Sequence, residues 1–248
     1  IMTTDTFPKL SFKNFFIDKS EINILGIAKG SGMIEPNMGT MLSYIFTDAN
    51  VDGSLLKSLL IDATKNSFNS ITVDGDTSTS DTVMLVSTNE ANHDMISKAN
   101  DPRINLFRNA LNDVATDLAK QIVQDGEGAT KFVEIIVSGA KNKDIATNIA
   151  KSVANSSLVK TAIYGGDPNW GRVIAAIGKS YEEINHESLV LFFGKHKIVS
   201  GGMALDNYKE EIVMQYMKKD EIQIIIDLGM GSSYHTVWTC DFSHKYID

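Results

Sequence analysis

INLFRNALNDVATDLAKQIVQ, residues 104–124, is the longest helical signal in this chain, and KFVEIIVSGA, residues 131–140, follows it as an apolar run of strand length. In the first, Leu106, Leu111, Val114, Leu118 and Ile122 recur near one face, the spacing of a helix that lies on a core. A helix leading through a short glycine-containing connection into a buried strand is the local unit of an α/β protein. The alternation continues in both directions. Upstream, INILGIA (22–28) reads as a buried strand, SLLKSLLIDATKNSF (54–68) as a helix behind a Ser54 N-cap, and SITVDG (70–75) with TVMLVST (82–88) as paired strands around a polar turn. Downstream, KDIATNIAKSVANS (143–156) is expected as helix, VKTAIYG (159–165) as strand, WGRVIAAIGKS (170–180) as helix, SLVLFF (188–193) as strand and LDNYKEEIVMQYMKK (205–219) as helix. EIQIIIDLG (221–229) and the alternating SSYHTVWTC (232–240) close the series as strands. No Pro/Gly/Ser-rich linker interrupts it, so the pattern reads as one continuous globular unit without repeats.

The chain has 248 residues, enough to bury a substantial core without disulfide or metal staples. With 23 Lys and Arg against 31 Asp and Glu, its net charge of -8 argues against a general nucleic-acid or anionic-membrane surface. Small molecules and protein subunits are the expected partners. Cys240 is the one cysteine and no Cys/His cluster has zinc-ligand spacing, which favours a reducing compartment such as the cytoplasm and indicates no metal. No apolar run approaches the ~18 residues of a membrane-spanning helix. The abrupt opening on IMTTDTFPKL and close on HKYID mark the chain as an expected fragment of a longer protein.

The chemically informative stretch is GSGMIEPNMGTMLSYIFTDAN, residues 30–50. Gly39-Thr40 sits between a loop of glycine, proline and asparagine and an apolar run that reads as helical. Thr40 then has two readings. It is a helix N-cap, or the peptide bond before it is cut and the freed Thr40 serves as a nucleophile whose own α-amine is the base. Gly39 suits the second, because without a Cβ it tolerates strained dihedrals and lets the threonine hydroxyl approach the Gly39 carbonyl for an N-to-O acyl shift.

Six segments, in order and across essentially the whole chain, resemble one family: TTDTFPK (3–9), AKGSGMIEPNMGTML (28–42), FTDA (46–49), FNSITVDGDTSTSDT (68–82), GEGATKFVEI (126–135) and GGDPNWGRV (165–173). It is the bifunctional ornithine acetyltransferase, or glutamate N-acetyltransferase, family of arginine biosynthesis, the ArgJ family. The resemblance implies an α/β (α+β) fold of packed mixed β-sheets flanked by helices, of the self-processing kind shared by ArgJ and DmpA. It implies a precursor that cuts itself before Thr40, so that residues 1–39 end an α chain and 40–248 form a β chain beginning at the nucleophile, in an α2β2 assembly of cleaved protomers. The implied reaction moves acetyl from N2-acetylornithine to glutamate through an acyl-threonine, with no cofactor and with acetyl-CoA as an alternative donor.

Residue by residue, the resemblance makes Thr40 the catalytic residue and Gly39-Thr40 the cleavage site, where the family usually has Ala in place of Gly39. Thr3, Lys29, Thr40 and Glu127 become substrate contacts, with Thr4 an alternative to Thr3. Lys29 otherwise reads as a solvated lysine at a strand end, Thr3 as a turn threonine and Glu127 as a loop glutamate. GGDPNWGR reads as a tight turn in which Asp167 or Asn169 caps the following helix, both being possible neighbours of the site. VDGDTSTSDT lacks the glutamate of a calcium loop and reads as a hairpin or active-site loop. The family's Thr-Gly oxyanion hole and Asn-containing tail are expected before Ile1 and after Asp248. A related self-processing aminopeptidase and an inactive amino-acid-binding protein are the alternatives.

Overall fold

The computed structural model describes residues 1–35 and 41–247. Their contacts group into two compact units, Ile1–Asp125 and Gly126–Asp248. The boundary falls at the end of the long helix.

The first unit holds a four-stranded sheet of β1 (Lys9–Ile17), β2 (Ser20–Lys29), β3 (Leu42–Thr47) and β4 (Thr82–Ser87), in that spatial order. The first three run antiparallel, and β4 lies parallel to β3. Helices α1 (Gly53–Lys65) and α2 (Ile104–Gln124) add to its core. α2 spans the residues its periodicity predicts and buries Leu111, Val114, Leu118 and Ile122. Its approach to the sheet depends on Gly26 of β2, where a Cβ would lie 2.6 Å from Leu118 Cδ1 and 2.8 Å from Val114 Cγ1. Ile22, Ile24 and Ile45 are buried, whereas Phe12, Leu25, Phe46 and Val86, neighbours in one cross-strand row, are exposed.

The second unit is a six-stranded sheet in the order β10-β5-β9-β6-β7-β8, made of β5 (Phe132–Ala140), β6 (Val190–Phe193), β7 (His196–Ser200), β8 (Met203–Ala204), β9 (Glu221–Asp227) and β10 (Ser233–Cys240). β5 and β9 pair in parallel, the other neighbours antiparallel. Helices α3 (Lys143–Ala154), α4 (Ser157–Tyr164), α5 (Trp170–Gly178) and α6 (Glu210–Tyr216) complete it. β5 and β9 place Val133, Ile135, Val137, Ile222, Ile224 and Ile226 in a core shared with Ile149, Val153 and Ile177 of the helices.

The structure corrects several local expectations. The apolar run after Thr40 is not helical: Leu42–Thr47 is strand β3, with Ser43, Ile45 and Thr47 buried in alternation. The expected strand at 159–165 is α4, started by Ser156, whose hydroxyl accepts the Val159 N–H at 3.4 Å. Its buried Val159, Lys160, Ala162 and Ile163 follow helical spacing, which a short apolar run does not distinguish from strand. Residues 70–75 form no strand with 82–88; β4 takes β3 as its neighbour instead. α1 is capped by Asp52, not Ser54, because the Asp52 carboxylate accepts the Ser54 N–H at 2.9 Å and the Leu55 N–H at 3.4 Å. β1 was not foreseen. No helix among the described residues is long and apolar enough to cross a membrane.

His235 on β10 is 6% exposed, and burial, reinforced by Lys143 and Lys151, holds its imidazole down to about 4. A depressed histidine is neutral when folded, while the unfolded chain takes up a proton from about pH 6.5 downward, so stability falls as pH drops from about 6.5 towards 4. His235→Gln is expected to flatten that dependence in thermal midpoints measured between about pH 7 and 5. Equal slopes in the variant and the wild type would exclude His235 as the source.

Candidate functional site

Within the first unit, a charged cluster fixes the strand end that carries Lys29. Lys9 of β1 is 1% exposed, and its ammonium donates to Asp5 Oδ1 at 2.6 Å and to Asp125 Oδ2. A buried ammonium is tolerable when paired and hydrogen-bonded in this way. Asp125 also accepts the Thr6 N–H and hydroxyl, and its backbone carbonyl accepts the Ser31 hydroxyl at 2.6 Å. Asp5 Oδ1 takes the Gly30 N–H at 2.7 Å, and Asp5 Oδ2 takes the Thr3 N–H at 3.1 Å. Burial works to raise the Asp5 carboxyl, but the Gly30 N–H, the Lys9 ammonium and the Thr3 N–H outweigh it and hold the group down to about 2. One ionised carboxylate therefore ties together the segment with Thr3 and the residue after Lys29.

Lys29 is the last residue of β2 and pairs with Leu42 of β3, two positions after Thr40 in the chain. It is 6% exposed, not solvated, and among the described residues no ion pair reaches its ammonium. A largely buried cation of this kind is suited to an incoming carboxylate, whose charge would offset its desolvation. Thr3 is exposed. Gly39 and Thr40 lie outside the described residues.

Within the second unit, Glu127 is half-buried at the second position of a turn closed by the Ala129 N–H on the Gly126 carbonyl at 2.8 Å. The next residue, Gly128, has φ +68, and a Cβ there would lie 2.5 Å from the Tyr246 nitrogen, so only glycine lets the turn pack against the C-terminal segment. The Gly128 carbonyl accepts the Ser243 hydroxyl at 2.5 Å, while buried Asp241 accepts the Thr130 and Lys131 N–H groups at 2.8 and 2.9 Å. These bonds fix the backbone on both sides of Glu127 without engaging its carboxylate. Asn169 is the cap of α5, accepting the Arg172 N–H at 3.1 Å, and it donates to Asp167 Oδ2 at 3.0 Å. Arg172 is turned onto the Leu158 carbonyl at 2.8 Å. The role visible for Asp167 and Asn169 is thus to build the turn before α5. No group of three or more His, Cys, Asp or Glu side chains among the described residues is arranged to hold a metal ion.

The sequence matches the ArgJ family from residue 1 to residue 248. The chain belongs to that family. It is 49% identical over 248 residues to the arginine biosynthesis bifunctional protein ArgJ of Gluconobacter oxydans and 50% identical to that of Ruegeria pomeroyi, in each case along the whole of this chain. It spans 58% and 59% of the length of those two curated relatives. The crystal structure of arginine biosynthesis bifunctional protein ArgJ from Bacillus halodurans superimposes with a TM-score of 0.81 at 41% identity, covering 84% of this chain and 97% of that one. The ArgJ fold of mixed sheets and helices that the six segments implied is therefore present.

The ArgJ resemblance selected residues by motif, and it passed over those that hold the motif residues in place. Asp5 and Lys9 lie inside TTDTFPK, but a pair four apart in sequence suggests a surface helix contact more readily than a buried one. Asp125 lies 116 positions from its partner Lys9, and nothing local to either residue announces the pairing.

Proposed function

We propose that the full-length protein is a glutamate N-acetyltransferase, moving acetyl from N2-acetylornithine to glutamate through an ester on Thr40. Support comes from the ArgJ membership together with one local observation: the chain after Thr40 enters strand β3, so there is no helix for Thr40 to cap. The strand supports the nucleophile reading over the N-cap reading of Thr40.

In this reading Thr40 Oγ attacks the Gly39 carbonyl carbon, the peptide nitrogen leaves as the Thr40 α-amine, and water hydrolyses the resulting ester. Residues 1–39 then end the α chain and 40–248 form the β chain, assembled as α2β2. The freed amine takes the hydroxyl proton while Oγ attacks the acetyl carbonyl of N2-acetylornithine, and that proton passes to the departing ornithine nitrogen. The acetyl-ester retains the acyl group until the amine of glutamate attacks it, which needs no cofactor; acetyl-CoA is an alternative donor for the same ester. Lys29 pairs with the substrate α-carboxylate, Glu127 with the ornithine ammonium, and Thr3 adds a polar contact. Function in the cytoplasm accords with an amino-acid biosynthetic role.

The test is intact-mass analysis of the full-length protein combined with a single-turnover assay. Two chains are expected, the second beginning at Thr40, and mixing with N2-acetylornithine alone should release one ornithine per processed chain while adding one acetyl to the β chain. An uncut protein with full transfer activity would overturn the mechanism. Acetate released at the rate of ornithine, with no N-acetylglutamate formed, would assign a hydrolase instead.

A further inference from the structure

In the chain, Met33 and Ile34 precede the Gly39–Thr40 bond and Met41 follows it, and these residues are held by one loop. The Met33 N–H donates to Asp74 Oδ2 at 2.7 Å and the Ile34 N–H to Asp74 Oδ1 at 3.1 Å, while the Val73 N–H returns a bond to the Ile34 carbonyl at 2.7 Å. Downstream, the Met41 N–H donates to Asp81, and the Met41 carbonyl accepts the Thr82 N–H at 2.9 Å. Ile34 and Met41 are each 1% exposed, so these points are anchored by side-chain burial as well. Met33 has φ +57, a left-handed conformation that a side-chain-bearing residue adopts only where its surroundings impose it. The loop is braced internally, with the Gly75 N–H on Thr72 Oγ1 and the Asp76 N–H on Asp74 Oδ1, both at 3.2 Å.

We propose that Asp74 and Asp81 are positioning residues for self-cleavage, a two-point clamp that sets the chain on each side of Gly39–Thr40, and that Asp81 goes on positioning the Thr40 nucleophile once the bond is cut. The division follows from connectivity. After cleavage Met33 and Ile34 remain on the upstream piece with Asp74 as their anchor, whereas Met41 remains bonded to Thr40 and is still gripped by Asp81 and Thr82. A nucleophile on the first residue of a chain has one covalent neighbour to locate it, so fixing both backbone groups of that neighbour limits where the hydroxyl can lie. Displacement of a reacting group by about 1 Å is enough for losses of roughly a hundredfold.

This inference rests on the cleavage and acyl-threonine chemistry proposed above, and its test separates the two. Freshly made full-length protein is followed by intact mass, and acetyl transfer is measured per processed chain. Asp81→Ala is expected to slow cleavage and transfer by about ten- to a hundredfold each. Asp81→Asn, whose amide oxygen still accepts the Met41 N–H, should recover most of both, and the loss in Asp74→Ala should fall on cleavage more heavily than on transfer. Amide exchange at Met41 should quicken in Asp81→Ala at an unchanged thermal midpoint. The clamp is overturned if Asp81→Ala cleaves and transfers normally, if Asp81→Asn is as impaired as the alanine variant, or if Met41 exchange does not change. If the wild type never cleaves, the functional reading fails, while Met41 exchange in the folded variant still decides whether Asp81 holds this strand.

Discussion

Thr40→Ala is expected to leave the full-length protein as one uncut chain and to lower acetyl transfer by at least about a thousandfold, because in the proposed mechanism it removes both the group that attacks Gly39 and the group that carries the acetyl. Thr40→Ser keeps a hydroxyl and an α-amine, and so retains part of both activities. The comparison discriminates sharply against a structural role. Loss of an N-cap would lower stability by about 0.5–2 kcal/mol and leave turnover per folded molecule intact. Since Leu42–Thr47 is strand, no such loss is expected. Normal cleavage or wild-type transfer in the alanine variant would eliminate Thr40 as the nucleophile.

Lys29→Met and Glu127→Gln, which approximately keep side-chain length, are expected to lower kcat/KM for N2-acetylornithine by roughly ten- to a hundredfold. That corresponds to loss of one charge-assisted contact of about 1.5–3 kcal/mol. The two should differ in selectivity. Donor and acceptor both carry an α-carboxylate, so Lys29→Met should impair both half-reactions. The ornithine moiety alone has a side-chain ammonium, so Glu127→Gln should weaken the donor half-reaction more than the glutamate half-reaction. Thermal midpoints should change little. The Glu127 carboxylate accepts none of the bonds that hold its turn among the described residues, and Lys29→Met exchanges a largely buried cation, without an ion pair among the described residues, for an apolar side chain. Early unfolding of both variants with normal turnover of the folded fraction would reassign the two residues to structure.

Where residues carry their own structural information, the reading from sequence matched the fold. The helix at Ile104–Gln124 has enough turns for a 3.6-residue period to stand out, and its bounds are those read from the pattern. The strands at Phe132–Ala140 and Glu221–Asp227 announce themselves as apolar runs because they lie inside the sheet order. Shorter signals misled. β1 carries exposed Leu10, Phe12 and Phe16 opposite its buried positions, which erases the polar–apolar alternation of a half-buried strand. Leu42–Thr47 and Ser157–Tyr164 exchanged types because runs of six to eight apolar-rich residues fit either period, and the neighbours they meet decide between them.

The sequence by itself determined the family, the long helix and the buried strands, since each of these resides in contiguous residues. Only the tertiary structure decided that Lys29 is buried opposite Leu42, that Asp5 and Asp125 enclose Lys9, and that Asp74 holds Met33 while Asp81 holds Met41. Each of those contacts joins residues 4 to 116 positions apart around one local group. Their formation is governed by which strands pair and which charges are removed from water, and those conditions are set by the folded chain as a whole.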